Sequence, residues 1–171
     1  ANVPYGKYSG RAPREGFSYA NVMRYEFLFL ERIVRALKQG GRAAVIVPDG
    51  LVEATSYAGF REKFLFDAEL EAVVSLPPTV FEPYTGEKTY VLFFRKKREN
   101  ERGRYQTSPT WHYIVDSDGF QPGKKRYPIN ENDLPELEAG FLTLEREGKC
   151  GAVPASDVED DLFHTLASEY Y

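Results

Sequence analysis

Four residues near the start of the 171-residue chain carry groups that could hold a planar amino group. Asn2 offers an amide oxygen and Val3 a backbone carbonyl, while Pro4 has a fixed φ and Tyr5 an aromatic ring. Two oxygens can accept both hydrogens of an exocyclic amino group, and a ring can stack on an extruded base. Positioning of this kind can direct the nitrogen lone pair at an electrophile. The tetrapeptide therefore predicts an adenine site, and an ordinary turn is the alternative interpretation.

The segments after this tetrapeptide alternate between helical and strand patterns. Apolar residues spaced by three and four predict a helix from residue 21 that stops at Gly40–Gly41, and a continuous apolar run predicts a buried strand over 43–47. Further along the chain, the predicted elements are a helix over 56–67 with Ser56 as its cap, a strand over 69–76, a loop over 79–89 and a strand over 89–95. This order predicts an α/β sheet.

The connection between the last two of these strands contains no helical pattern. A loop of that length cannot make a parallel crossover, so we expect the strand that begins at Thr89 to run antiparallel to its predecessor. The prediction is a mixed sheet with an antiparallel last strand.

The second half of the chain offers fewer signals. The charged run over 95–104 is typical of a solvated hairpin or linker, and a phosphate-contacting patch is the alternative. A further strand is predicted from Trp111, with a turn at Asp118–Gly119 and a helix from Asn132 or Asp133. Ser156 and Glu159 have the spacing of a capping box before a last helix.

Composition narrows the class of protein. Hydrophobic residues make up 42% and charged residues 28%, which is typical of a globular domain. A single cysteine and two histidines form no metal signature, and a cytoplasmic location is the simplest expectation. No apolar run is long enough for a membrane span. The net charge of −4 indicates that, if the substrate is a nucleic acid, something other than this chain must supply many of the contacts to it.

Three ordered segments carry a resemblance to a known family. They are YEFLFLERIVRALKQGGRAAVIVPDGLV (25–52), FREKFLFDAELEAVVSLPPTVFEPYTGEKTYVLFFRKK (60–97) and DGFQPGKKRYPINENDLPEL (118–137). Together with the Asn-x-Pro-aromatic tetrapeptide, they resemble the methylase subunit of type I restriction–modification systems, an N(6)-adenine DNA methyltransferase. The resemblance implies S-adenosylmethionine as cofactor and adenine in duplex DNA as substrate. It also implies a specificity subunit and a restriction subunit as partners.

The resemblance also implies a fold and a domain organisation. Residues 1–140 are expected to be the later half of a class I, Rossmann-like methyltransferase domain. Its predicted strands would be the fifth, the sixth and the antiparallel seventh strand of that sheet. Residues 141–171 are expected to form a helical tail. Because an incomplete sheet exposes an edge, packing against a missing piece or a homodimer is expected.

Site residues follow from the same resemblance. Asn2, Val3, Pro4 and Tyr5 match the target-base motif, although the family usually has proline at the position of Val3. Because the chemistry uses the backbone carbonyl there, valine can serve. The loop that holds Phe81 and Tyr84 corresponds to one near the catalytic pocket, so either ring could cover the adenine, and packing on the sheet end is the alternative. Lys88 matches a family lysine and is predicted to contact substrate phosphate or to have a local structural role.

One family feature is absent from the sequence. The glycine-rich loop that binds the cofactor lies upstream of the target-base motif in this family, and no such loop occurs here. Cofactor-binding residues are therefore not assigned, and this polypeptide alone is predicted not to methylate DNA. The alternatives are a non-catalytic interaction module with a truncated methylase fold and an adenine methyltransferase of ribosomal RNA.

Overall fold

The computed structural model describes residues 1–9, 17, 24–104, 106, 108–143 and 150–153 of the chain. Its elements, in chain order, are α1 (Tyr25–Ala36), β1 (Arg42–Pro48), α2 (Asp49–Glu53), a 3-10 turn (Thr55–Tyr57), α3 (Ala58–Asp67), β2 (Ala68–Leu76), β3 (Thr89–Lys96), β4 (Thr110–Ile114), β5 (Asp118–Phe120), β6 (Pro128–Asn132), α4 (Leu134–Thr143) and β7 (Cys150–Val153).

Five strands form one mixed sheet in the order β1-β3-β2-β4-β7. β3 lies between β1 and β2 and is antiparallel to both of them. β4 extends the sheet parallel to β2, and β7 pairs antiparallel with β4. The predicted mixed sheet and the antiparallel strand that begins at Thr89 are therefore confirmed. A separate two-stranded ribbon consists of β5 and β6.

The first two residues lie along the outer edge of β1. Asn2 forms a parallel bridge with Ile46, and the Ile46 N–H donates a hydrogen bond of 2.8 Å to the Ala1 carbonyl. The chain therefore runs beside β1 in the same direction and leaves the sheet near the carboxyl end of that strand.

One face of the sheet is covered by α1 and α3. Phe27, Leu30 and Val34 recur at helical spacing and are buried together with Phe60 and Phe64 of α3. The rings of Phe27 and Phe60 pack edge to face with centroids 4.5 Å apart. Val3 is buried in the same core with 5% exposure. Burial of Val3 therefore anchors the predicted site segment to the main core.

Two predicted helix boundaries are wrong. The first helix begins at Tyr25 rather than at residue 21, and Ser56 lies in the 3-10 turn instead of capping α3. The buried side chain of Arg61, in α3, binds the segment before this turn. Its guanidinium donates to the carbonyls of Leu51 and Ala54, which end α2 and begin the turn. The buried arginine thus ties α3 to the end of α2, and α3 begins without a side-chain cap.

The predicted tail over 141–171 is described only in part. Residues 141–143 belong to α4, and Cys150–Val153 is a strand rather than a helix because it pairs with β4. The last helix predicted after Ser156 lies outside the described residues, as does most of the loop predicted over 7–18. Among the helices of the described part, none has the length and apolar character needed to span a membrane.

Candidate active site

The segment with the Asn-x-Pro-aromatic pattern is held at its end by the first turn of α1. The Gly6 N–H donates to the Glu26 carboxylate at 2.9 Å, and the Gly6 carbonyl accepts from the Tyr25 N–H at 2.9 Å. Gly6 has φ +110°, a conformation that a residue with Cβ adopts only with strain. Both backbone groups of Gly6 are therefore bound, and the turn after Tyr5 has a fixed geometry.

Asn2 and Tyr5 are joined by a hydrogen bond. The Tyr5 hydroxyl donates to the Asn2 amide oxygen at 3.1 Å, while Asn2 and Pro4 are exposed to solvent. An amide oxygen has two lone pairs, so Asn2 can accept a further N–H from a ligand. Tyr5 is half-buried and packs against the main core. The sequence predicted a stacking role for its ring, but not that its hydroxyl would orient the amide.

Acidic groups surround the Tyr5 hydroxyl. Burial raises the pKa of Tyr5 to about 12, and the charges of Glu87 and Glu26 act in the same direction. The pKa of Glu87 is also raised, first by burial and then by the charges of Asp49 and Glu26, with Arg24 acting in the opposite direction. Tyr5 therefore stays protonated at neutral pH and keeps its proton for the bond to Asn2.

Glu26 links the site to α1 and was not identified from the sequence. Its side chain is 1% exposed and is bound on both oxygens, by the Gly6 N–H and by the Arg24 guanidinium. The hydrogen bond to Glu26 raises the pKa of Arg24. A carboxylate in the first turn of a helix also interacts favourably with the helix dipole. The only sequence signal was an acidic residue at a position that the helical pattern buries.

Asp49 and Lys88 bring two more segments to the same end of β1. The Asp49 N–H donates to the Lys88 carbonyl at 3.0 Å, and the Asp49 carboxylate accepts from the Gly50 N–H at 2.6 Å. The loop that ends at Lys88 therefore reaches the carboxyl end of β1, beside Tyr5. Its neighbour Glu87 is close enough for its charge to affect Tyr5.

The three predicted substrate contacts lie in different surroundings. The Lys88 ammonium donates to the Ser75 hydroxyl at 2.6 Å and lies over the Tyr90 ring, 5.4 Å from its centroid. Phe81 is partly buried in a turn closed by the Tyr84 N–H, and the Tyr84 side chain is 92% exposed. Within the described residues, no hydrogen bond or ring contact joins Phe81, Tyr84 or Lys88 to Asn2. Their roles remain predictions.

The charged run over 95–104 is bound by the protein itself. Arg95 pairs with Glu69 and Glu101, and Arg102 pairs with Asp67. The ammonium groups of the two lysines between these arginines donate to carbonyls at the ends of α1 and α3. These contacts favour a structural role for the run over a phosphate-binding one.

No cofactor-binding loop is assigned among the described residues. Strands lead into helices at residues 48–50 and 132–134 of the described part, and neither turn has the glycine-rich pattern that cradles a nucleotide. The described residues also contain no cluster of potential metal ligands. The start of the chain provides the exposed Asn2 amide oxygen, which is bonded to the Tyr5 hydroxyl, and next to it the backbone carbonyl of Val3, whose side chain is buried.

Comparisons with known proteins identify the family and the fold. The family model described as N-6 DNA Methylase matches residues 1–170. The chain is 39% identical over 87 residues to the EcoEI methylase subunit of Escherichia coli, which covers 50% of the chain and 16% of that protein. It is 30% identical over 143 residues to the StySJI methylase subunit of Salmonella typhimurium, which covers 82% of the chain and 26% of that protein. The chain thus spans only a minor part of these relatives.

Solved structures resemble the chain over most of its length. A chain from a study of assembly and conformational transition in a type I restriction–modification system has a TM-score of 0.75 at 25% identity, over 97% of this chain and 36% of that one. A modification subunit of a putative type I restriction enzyme from Vibrio vulnificus has a TM-score of 0.72 at 26% identity. The match covers 92% of this chain and 33% of that subunit. A putative class I S-adenosylmethionine-dependent methyltransferase from Listeria monocytogenes, at 20% identity, has a TM-score of 0.56 over 83% and 39%.

These comparisons confirm both the predicted fold class and the predicted family. The mixed sheet, in which β3 is antiparallel to both of its neighbours, is part of a class I methyltransferase fold. The chain belongs to the N-6 DNA methylase family. The relatives that it resembles include the methylase subunits of type I restriction enzymes.

Proposed function

We propose that this chain is the later half of the catalytic domain of an adenine-specific DNA methyltransferase. The described residues through β7 would complete that domain, because β7 pairs with β4 in the same sheet. The reaction would transfer a methyl group from S-adenosylmethionine to the exocyclic amino group of an adenine flipped out of duplex DNA. Family membership and the arrangement around Asn2 support this proposal.

The observation that carries the proposal is the ordered, solvent-exposed amide of Asn2. The Asn2 oxygen and the neighbouring Val3 carbonyl would accept the two hydrogens of the adenine amino group. Burial of Val3 in the core and the bonds on Gly6 would hold both acceptors before the base arrives. Such preorganisation directs the nitrogen lone pair without a general base. The exposed part of the Tyr5 ring would stack on the flipped base.

The methyl donor would be bound mainly by residues outside this chain. When bound, S-adenosylmethionine supplies an electrophilic methyl group on a positively charged sulfur. Glu87 adds negative charge near Tyr5, which favours a cation there, whereas Glu26 is already paired with Arg24. The isolated chain is therefore expected to be inactive, and the complete protein active.

Partners follow from the proteins that the chain resembles. Those relatives are named as subunits of type I restriction enzymes, so we propose a specificity subunit and a restriction subunit as partners and the cytoplasm as the location. The net charge of −4 fits DNA binding that is shared among subunits. Among the described residues, the outer edge of β1 is bound by residues 1–2, and the rest of this edge would pair with the rest of the protein or with a second copy.

Replacing Asn2 in the complete protein tests the proposal. Asn2→Ala removes one acceptor of the adenine amino group, and loss of such a bond costs about 1–3 kcal/mol. Methyl transfer to adenine, followed with a radiolabelled donor, should therefore fall about 5- to 150-fold. Asn100→Ala, at an exposed position in the charged run, is the control. Equal activity of the two variants, or transfer to ribosomal RNA rather than DNA, would contradict the proposal.

A further inference from the structure

A ribbon that the methyl-transfer chemistry does not use lies on the same edge of the sheet as the candidate site. β4 runs parallel to β2, so the chain leaves both strands at their carboxyl ends. The loop over 77–88 follows β2, and the ribbon of β5 and β6, residues 118–132, follows β4. β1 is parallel to β2 because both are antiparallel to β3, and its carboxyl end therefore lies on this edge too. The ribbon, the loop and the segment over 1–6 thus share one edge.

The ribbon is bound to the loop over 77–88. The Arg126 guanidinium donates to the Val80 carbonyl and pairs with the buried carboxylate of Asp118. The Gly123 N–H donates to the Glu82 carboxylate. These contacts join the tip of the ribbon to the loop, so that side chains from both segments form one surface.

This surface presents hydrogen-bond donors to solvent. Lys124 and Lys125 are exposed at the tip of the ribbon. The Tyr84 side chain is 92% exposed and that of Tyr127 is 57% exposed. The Asp118 carboxylate is bound by Arg126 and the Glu82 carboxylate by the Gly123 N–H, while Glu131 of β6 is exposed. Two ammonium groups and two phenol hydroxyls are among the groups that proteins use to contact DNA phosphates.

We propose that this ribbon surface, formed by Tyr84, Lys124, Lys125 and Tyr127, contacts the DNA backbone beside the target adenine. The inference rests on the proposed function and adds a second point of contact to it. β1 and β4 are three strand spacings apart, about 14 Å at about 4.8 Å each. That distance equals about four base pairs along a duplex at 3.4 Å per pair. Contacts to phosphates there orient the duplex without reading its sequence.

The salt dependence of DNA binding tests the inference. In the complete protein, Lys124→Ala combined with Lys125→Ala should weaken binding equally for duplexes with and without the recognition sequence. Each lost phosphate contact lowers the slope of log K against log salt by about 0.9, so the double variant should lose about 1.8. The KM for DNA should rise, while kcat at saturating DNA stays unchanged. Tyr84→Phe combined with Tyr127→Phe should weaken binding with little change in slope.

A matched control separates this surface from general loss of charge. Lys38→Ala combined with Lys63→Ala removes two exposed lysines on the helical side of the sheet and should leave the slope unchanged. The inference is overturned if the two double variants have equal slopes, or if the ribbon variant loses a partner subunit but no DNA affinity. In either case the wild-type protein would still methylate adenine. Absence of methylation by the wild-type protein would instead overturn the proposed function itself.

Discussion

Glu26 gives the sharpest test of how the site segment is held. Its carboxylate is 1% exposed and accepts the Gly6 N–H at 2.9 Å. Glu26→Ala removes this charge-assisted bond, while the Gly6 carbonyl still accepts from the Tyr25 N–H and the Tyr8 ring still packs on the Tyr25 ring. If the turn after Tyr5 positions Asn2, the loss should appear in catalysis as well as in stability.

The magnitude follows from the two bonds of Glu26. A hydrogen bond to a charged group contributes about 1.5–3 kcal/mol. The ion pair with Arg24 contributes less, on the order of 1 kcal/mol or below, because the Arg24 side chain is 28% exposed. A loss of about 2 kcal/mol corresponds to roughly a 30-fold drop in kcat/KM. Glu26→Gln keeps an oxygen for the Gly6 N–H, so we expect it to lie within about fivefold of the wild type.

The assay compares methyl transfer by the complete protein with a matched variant of the same helix. Glu31 is also buried in α1, and it pairs with Arg35 at 2.6 Å instead of holding the site segment. Glu31→Ala should lower the free energy of unfolding while leaving kcat/KM per folded molecule close to the wild-type value. The reasoning is refuted if Glu26→Ala and Glu31→Ala have equal kcat/KM, or if Glu26→Gln is no better than Glu26→Ala.

Three further changes follow from the contacts and the pKa directions. Tyr5→Phe keeps the ring but frees the Asn2 amide, and a net hydrogen bond of about 0.5–1.5 kcal/mol predicts a two- to tenfold drop in kcat, against no change if stacking alone matters. Glu87→Gln should raise the melting temperature at neutral pH, because burial and two neighbouring carboxylates raise the pKa of Glu87 in the folded protein. The gain in melting temperature should vanish as the pH falls below the usual carboxyl pKa. A gain that persists at that pH would contradict the direction of the pKa shift. Lys97→Met removes the buried ammonium that donates to the Leu65 carbonyl and should cost about 1.5–3 kcal/mol of unfolding free energy by urea denaturation, whereas a loss below about 0.5 kcal/mol would show that this bond contributes nothing.

Periodicity and loop length predicted much of the sheet. The apolar runs placed β1, β2 and β3 within two residues of their ends, and the short connection before Thr89 required an antiparallel strand. The position of β3 between the other two strands was not predictable from these patterns. The position of β3 depends on which strand edges are still unpaired in the folded sheet, and the spacing of residues along the chain does not determine this.

The residue types of the candidate site were predictable from the sequence, but the contacts that hold the site segment in place were not. The spacing of Asn2 and Tyr5 predicted a hydrogen-bond acceptor and a stacking ring for an adenine. Their own hydrogen bond depends on a turn whose shape is set by Gly6 and Glu26. Glu26 is twenty residues away from Gly6 along the chain, so only the packing of α1 on β1 brings the two together. Arg61 was missed for the same reason, because its carbonyl partners belong to another helix.

A structure of the complete protein bound to a DNA duplex and a donor analogue would test the central claim most directly. The account predicts a flipped adenine whose amino nitrogen lies about 2.7–3.2 Å from both the Asn2 amide oxygen and the Val3 carbonyl oxygen. An adenine that remains stacked in the duplex, or an amino group bound by other residues while Asn2 faces solvent, would contradict it.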